Sequence, residues 1–569
     1  VITQTQRDIV EMFSIDVRIA DVRITLRRSN TTNVTACEVL SALKKPTNGM
    51  SIAFLELPYP PMHCHPDRSF SFPNGMESGV EGPAVLADAT QRLEAVTLTT
   101  MPTTEAVRTA LDLPSIRAQF PSLAQTVNAH PATFLDGPGG TQVPQRVIDA
   151  ISNYLCRDNA NTGGAYATSR HTDAMIAEAR AAMGDFLHCA ADEVVFGPNM
   201  TTLTYAMSRA IGRAISAGEL GPGNEILITR LDHDANVSPW LQMAEDRGIT
   251  VRWAELRQED CTLDMADLAS KINSNTKLVA AGYASNAVGT INPVKEIVRL
   301  AHAAGALAYI DAVHYAPHGL VDVAALDCDF LVCSTYKFFG PHLGVLFGKR
   351  EHLQRLRPYK VRPNTNAIPN CWEWGTLNHE CIAGITACVE YLADLGRRFI
   401  NESTNGATDG TTGTRVPQPS RFSKRGNDAA DASRVNESGI NERRAAIAAT
   451  YQAIHNHERE LLDRMMSGLK KIPHLKIYGI TDPARFSERC ATLAIRIEDG
   501  SPSHTPLQLA TKLGTRGIFT WDGNYYALNL TEQLDVEKSG GFLRIGLVHY
   551  NTQQEVDRLL TALGEIVSA

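Results

Sequence analysis

The chain has 569 residues, more than a single compact core accommodates, so more than one domain is expected. It is 43% hydrophobic and 20% charged with a net charge of −8, a globular composition with no basic excess to draw it to nucleic acid or an anionic membrane surface. No run of about twenty apolar residues exists to cross a bilayer as a helix.

In chain order, "VITQTQRDIVEMF" lacks the basic start, apolar stretch and small-residue cleavage site of a signal peptide. Eleven cysteines lie between Cys37 and Cys490 with no CxxC pair, a pattern of reduced thiols in a cytoplasmic protein. Residues 1–105 show no sustained period and read as a disordered N-terminal extension or as residues outside the mature protein. Within it, "MHCHPD" (62–67) offers two His and a Cys but no second ligand cluster, so no metal is expected there.

From about 133 to 370, β-rich runs alternate with helical stretches. The strands are expected at "EVVFG" (193–197), "EILIT" (225–229), "TVRWAEL" (250–256), "KLVAAGYA" (277–284), "ALAYID" (306–311), "FLVCS" (330–334) and "LGVLFG" (343–348). Helical stretches such as "NPVKEIVRLAHAAG" (292–305) lie between several of them. That alternation predicts an α/β domain whose mostly parallel sheet is covered on both faces. Residues 402–440 carry almost no large apolar side chain and read as a disordered insertion. Helical character resumes at "NERRAAIAATYQAIHNHERELLDRMMSGLKKI", and "CATLAIRIE" (490–498), "PLQLATKLGTRG" and "TQQEVDRLLTALGEIV" complete a smaller α+β domain.

Ligands of an open α/β sheet bind outside the carboxyl ends of its strands. Here "EILITRLDHDAN" ends at Asp232-His233, "KLVAAGYASNAVGT" at Ser285-Asn286, "ALAYIDAVHY" at Asp311 with His314 beyond it, and "FLVCSTYK" at Ser334 with Lys337 beyond it. Taken singly, each has a plainer reading as a cap, a turn residue or a surface side chain. Together they suit one chemistry. A lysine forms a Schiff base with the aldehyde of pyridoxal 5'-phosphate, and a carboxylate keeps the cofactor's ring nitrogen protonated. An imidazole stacks on the ring, and a helix N-terminus such as that in "FGPNMTTLTYAM" (196–207) holds the phosphate.

These motifs, with "FLDGPGGTQVPQRVIDAI" and "DNANTGGAYATSR", resemble the class V aminotransferase superfamily of fold-type I pyridoxal-phosphate enzymes, specifically its cysteine desulfurase branch. The resemblance runs from about Phe134 to the C-terminus, omitting 402–440. It implies a large cofactor-binding domain over 146–370 with a seven-stranded sheet, and a small domain built from 106–145 and 371–569. The family's S-G-H-K becomes Ser334-Thr335-Tyr336-Lys337, which implies Lys337 as the Schiff-base lysine, with Ser334 and Tyr336 near the phosphate. Its D-G-A-Q becomes Asp311 to His314, implying that Asp311 pairs with the pyridinium and that His314 contacts the ring oxygen. His233 corresponds to the ring-stacking imidazole. Met200 and Thr201 correspond to the phosphate loop, and Asn286 lies near cofactor and substrate carboxylate. Arg544, in "FLRIGLVHYNT", matches the substrate carboxylate clamp. Gly375-Thr376 matches the segment that reaches a neighbouring subunit's phosphate, which implies a homodimer.

The departures shape the expected reaction. Tyr336 replaces the usual His. In "RGIFTWDGNYYALN" (516–529), Trp521 stands where the desulfurases carry a carboxylate-binding Arg, and Tyr526 where they carry the persulfide-forming Cys. Tyr accepts no sulfur, because persulfide chemistry needs a thiolate. The expectation is therefore a transferase or lyase working through a Cα carbanion of a small amino acid. Transamination, epimerisation and β-elimination stay open. The alternatives are a desulfurase or C–S lyase using another thiol, and a non-catalytic fold-type I dimer.

Overall fold

A computed structural model describes residues 13–15, 26–28, 110–405 and 441–568. The expectations for most of 1–105, including "MHCHPD", and for 406–440 lie outside the described residues. The chain divides into two units, Val1–Leu98 and Thr99–Ala569. In the first, Phe13–Ile15 and Leu26–Arg28 form an antiparallel pair.

The second unit carries a seven-stranded sheet whose strands fall where the apolar runs place them: β1 (Val194–Gly197), β2 (Glu225–Thr229), β3 (Thr250–Ala254), β4 (Thr276–Gly282), β5 (Leu307–Asp311), β6 (Phe330–Ser334) and β7 (Gly344–Gly348). Their spatial order is β1-β7-β6-β5-β4-β2-β3. Neighbours from β6 through to β3 pair in parallel, while β7 is antiparallel to both β6 and β1. The antiparallel exception follows from chain length. Residues 335–343 alone join β6 to β7, too few for the crossover that a parallel return needs.

The strands read as unbroken apolar runs because both faces are covered. Alternate side chains enter opposite cores, as the period of two requires. Val194, Phe196, Leu227, Val279 and Ile310 pack on one side, against α1 (Gln145–Arg157), α2 (Ala167–Leu187) and, through Val294 and Ile297, α5 (Val294–Ala303). Val195, Ile226, Ile228, Leu278 and Tyr309 pack on the other, against α3 (Met200–Ser216) and α4 (Ser238–Arg247), where Met207, Ile211 and Trp240 meet them.

The smaller α+β part begins with two long helices, α6 (His379–Asn405) and α7 (Glu442–Leu469). Strands β8 (Leu475–Tyr478), β9 (Thr492–Ile497), β10 (Trp521–Gly523) and β11 (Phe542–Gly546) form an antiparallel sheet in the order β8-β9-β11-β10. Helices α8 (Pro506–Thr515) and α9 (Gln553–Ser568) close its core through Leu509, Leu513, Leu559 and Leu563. Thr133–Phe134 pairs with Ile518–Phe519, and Asp136 bridges to Gly546. These contacts place the "DGPGG" turn beside the carboxyl end of β11.

Candidate active site

A pocket opens at the carboxyl ends of the parallel strands, with Lys337, Asp311, His233, His314, Ser334 and Tyr336 among its walls. Lys337 closes a single 3₁₀ turn directly after β6. The Thr335 hydroxyl donates to the Pro341 carbonyl, and the Thr335 N–H donates to the Leu343 carbonyl at 2.9 Å. The two phenylalanines after the lysine are fully buried anchors, with Phe338 stacked on Phe186 at 4.6 Å between centroids. Phe339 adopts φ +75°, a conformation costly for a bulky residue. Its N–H donates to the Thr141 hydroxyl at 2.7 Å. The turn is thus held firmly while its ammonium faces inward, donating to the Pro138 carbonyl. Burial, reinforced by the Arg544 charge and partly opposed by Asp136 and Asp311, brings Lys337 down to about 7.

Asp311 ends β5 and accepts the Val313 N–H at 2.8 Å. Burial pushes its carboxyl up to about 6, with that hydrogen bond and Lys337 pulling the other way. His233 sits in the turn after β2, and its Nδ1 accepts the Ala235 N–H at 3.0 Å, so a neutral ring carries its proton on Nε2. Burial, then the Lys337 and Arg544 charges, hold it down near 3. The imidazole is therefore neutral at physiological pH and free to stack on a ring. Tyr526, 70% exposed, stacks on it at 5.2 Å.

At the far end lies the N-terminus of α3. Asn199 caps it, accepting the Thr202 N–H at 2.9 Å. The Met200 N–H donates to the Ser334 hydroxyl at 3.2 Å, and Thr201 lines the pocket beside it. Backbone donors, hydroxyls and the positive end of a helix converge there, which is the arrangement an anionic group seeks. Gly344 permits it, because a Cβ there would lie 2.3 Å from the Asn199 carbonyl carbon and 2.7 Å from the Met200 nitrogen.

Asn286 also faces the pocket, donating its amide to the Tyr525 carbonyl at 2.8 Å while its buried Oδ1 has no partner. Arg544, on β11, lies nearby and donates to the Asn286 carbonyl at 3.2 Å. Its guanidinium is 4.3 Å from the Tyr525 ring centroid and 2.9 Å from Asp136 Oδ1, and its buried Nε has no partner. Thr376 stands apart, exposed with Trp374 and Gly375 on a different surface.

Two residues of the site, Asp136 and Pro138, have no role in the sequence reading, and a third, Asp232, appears there only as part of a strand end. Asp136 reaches Arg544 from the small-domain edge, and burial raises its carboxyl despite that partner. Its only sequence signal is its place before a Gly-Pro-Gly-Gly turn. Pro138, in that same turn, supplies the carbonyl that holds the lysine. Asp232 is buried behind His233 and accepts from the Gly282 N–H, Thr229 and Asn236, each at 2.8 Å. It was visible as half of an Asp-His pair, but burial on that side of the turn is a tertiary property.

This two-domain architecture, with a lysine turn at the end of a parallel strand, is that of fold-type I pyridoxal-phosphate proteins. A family model described as "Aminotransferase class-V" matches residues 133–413 and 443–559, and the chain belongs to that family. Among curated relatives, a cysteine desulfurase of Serratia proteamaculans is 32% identical over 454 residues, covering 79% of this chain and 97% of the relative. An "Aminotransferase-like protein FGM3" of Gibberella zeae is 28% identical over 464 residues, covering 80% of this chain and 98% of the relative. Among solved structures, a cysteine desulfurase from Thermococcus onnurineus shares the fold with a TM-score of 0.64 at 22% identity, over 80% of this chain and 98% of its own.

Proposed function

We propose that this chain is a pyridoxal-phosphate-dependent transferase or lyase that breaks a bond at Cα of a small amino acid. The observation that carries this reading is Lys337. It is a half-buried amine brought down to about 7, at a strand end, with a carboxylate, a neutral imidazole and a helix N-terminus converging on the same pocket. Those four groups fit the cofactor's aldehyde, ring nitrogen, ring face and phosphate. Pyridoxal phosphate, when bound, supplies an aldehyde that condenses with an amine and a ring that withdraws electrons from Cα.

The chain's own groups then divide the work. Lys337 would hold the cofactor by its aldehyde carbon, and its neutral Nζ, once free, would be the base that accepts a Cα proton. Asp311 is ionised when a cationic nitrogen faces it, since an opposite charge lowers a buried carboxyl. Met200, Thr201 and Ser334 hold the phosphate, with Tyr336 bordering it. His233 would cover the ring, and His314 would contact the ring oxygen. Asn286 and the unpartnered Nε of Arg544 receive the substrate carboxylate. Thr376 serves a neighbouring subunit of a homodimer, consistent with its exposure away from its own pocket.

Persulfide formation is not the proposed route. None of the described residues lining the pocket is a cysteine, and Tyr526 occupies the segment that would carry one. The names of the relatives favour a second reading, a desulfurase using another thiol, which predicts sulfide release from cysteine. Purified protein supplied with pyridoxal 5'-phosphate is expected to show a visible absorption band that Lys337→Ala abolishes. In an amino-acid panel followed by mass spectrometry, Cα products without sulfide support the proposal. Sulfide release lost with a single cysteine supports the second reading, and protein that takes up no cofactor would indicate a non-catalytic dimer.

A further inference from the structure

Next to the cofactor pocket lies a cluster that shares His314 with it and adds two residues the proposed reaction does not use, His318 and Cys490. His314 and His318 sit four residues apart on one turn after β5, where the Ala316 N–H donates to the Ala312 carbonyl and the His318 N–H to the Tyr315 carbonyl, both at 2.9 Å. That spacing puts both imidazoles on one face, 5.2 Å apart between centroids. Cys490 arrives from the segment before β9, its N–H donating to the Gly289 carbonyl at 2.8 Å. One ligand atom from each of the three residues lies within 4.8 Å of the others, and all three are buried.

Two further observations point to a ligand. The Nε2 atoms of His314 and His318 are both buried without a hydrogen-bond partner. Buried polar atoms are seldom left so, because each unsatisfied group carries a desolvation cost. Glu458 Oε2 lies 2.8 Å from His318 Nδ1, which places that ring's proton on Nδ1 and leaves the unpartnered Nε2 as the lone pair available to a ligand. A carboxylate behind a histidine is the usual support of a metal-ligating imidazole. A cavity of about 390 Å³ leads to the cluster, with His318, Cys490, Glu458, His455 and Arg459 in its walls.

We propose that His314, His318 and Cys490 bind a divalent transition metal of the zinc class, chosen by two imidazole nitrogens and one sulfur. Binding converts the Cys490 thiol to a thiolate and releases its proton through the cavity, so two metal–nitrogen bonds and one metal–sulfur bond form as one S–H bond breaks. The fourth position faces the cavity and is filled by water. The ion would tie the turn after β5, which carries His314 into the cofactor pocket, to the segment that leads into β9 of the small sheet.

The test uses the full chain, loaded with zinc(II) chloride, desalted and assayed for metal by mass spectrometry. Cobalt(II) chloride is the spectroscopic probe. About one metal per chain is expected to survive desalting. The cobalt form is expected to show a thiolate-to-metal charge-transfer band, lost in Cys490→Ser. Zinc retention should fall at least tenfold in His318→Gln and be unchanged in Lys337→Ala, which separates this site from the cofactor. Absence of retained metal and of the band in the unaltered chain overturns the proposal without any variant. Metal retained equally by Cys490→Ser and His318→Gln overturns it as well, since the ion would then sit elsewhere.

Discussion

Lys337 is an amine made useful by its surroundings. A solvated lysine loses its proton above pH 10, whereas burial beside Arg544 brings this one to about 7. The neutral form is the one that attacks an aldehyde. Uptake of pyridoxal 5'-phosphate by cofactor-free protein, read as growth of the visible band, should therefore rise about tenfold from pH 6 to pH 8 and then level off. A rate still climbing tenfold per unit at pH 9 would rule this out. The same shift has a stability consequence. Between about pH 7 and 10 the unfolded chain binds the proton that folded Lys337 has lost, so cofactor-free protein gains stability as pH rises across that window. Strain is local too. Consecutive Tyr525 and Tyr526 hold φ +54° and +63°, with the Tyr526 carbonyl accepting the Asp234 N–H at 2.7 Å, so the segment is pinned over His233 rather than loose. The tyrosine identity was plain in the chain, but its stacking on His233 was not, because that contact joins residues far apart in sequence.

At the scale of elements, the pocket depends on how closely α3 approaches β7. Gly344 pairs with Gly197 on β1 and Ser334 on β6, and its missing Cβ is what admits the Asn199–Met200 peptide. Gly344→Ala should push the helix N-terminus away from the Ser334 hydroxyl. Affinity for pyridoxal 5'-phosphate is expected to fall at least tenfold, about 1.4 kcal/mol, with a smaller loss for pyridoxal, which has no phosphate. Equal losses for both, measured by titration, would argue against a phosphate role for that end. The strands themselves were legible, since seven apolar runs became seven strands with ends shifted by a residue or two. The antiparallel placement of β7 was not, because apolar runs buried on both faces look alike in either direction.

For the whole molecule, the residues meant to act together come from distant parts of the chain. Lys337 and Asp311 stand at the ends of strands of the large sheet, while Arg544 lies on β11 of the small sheet and Asp136 in the turn beside its end. The proposed homodimer adds Thr376 from a second copy. Sedimentation should give twice the mass of the chain, and Thr376→Asp should cut cofactor retention at least tenfold by setting a carboxylate against a phosphate. A monomer, or unaltered retention, would count against the shared site. Local chemistry in the sequence determined much of this protein: the alternation that makes an α/β sheet, the polar residues at its strand ends, and the lysine turn, each written in a few adjacent residues. Only the tertiary structure decided that Asp136 neutralises Arg544, that Tyr526 covers His233, and that His314, His318 and Cys490 converge. Those pairings depend on long-range packing between the two sheets, for which a linear order of residues carries no local signal.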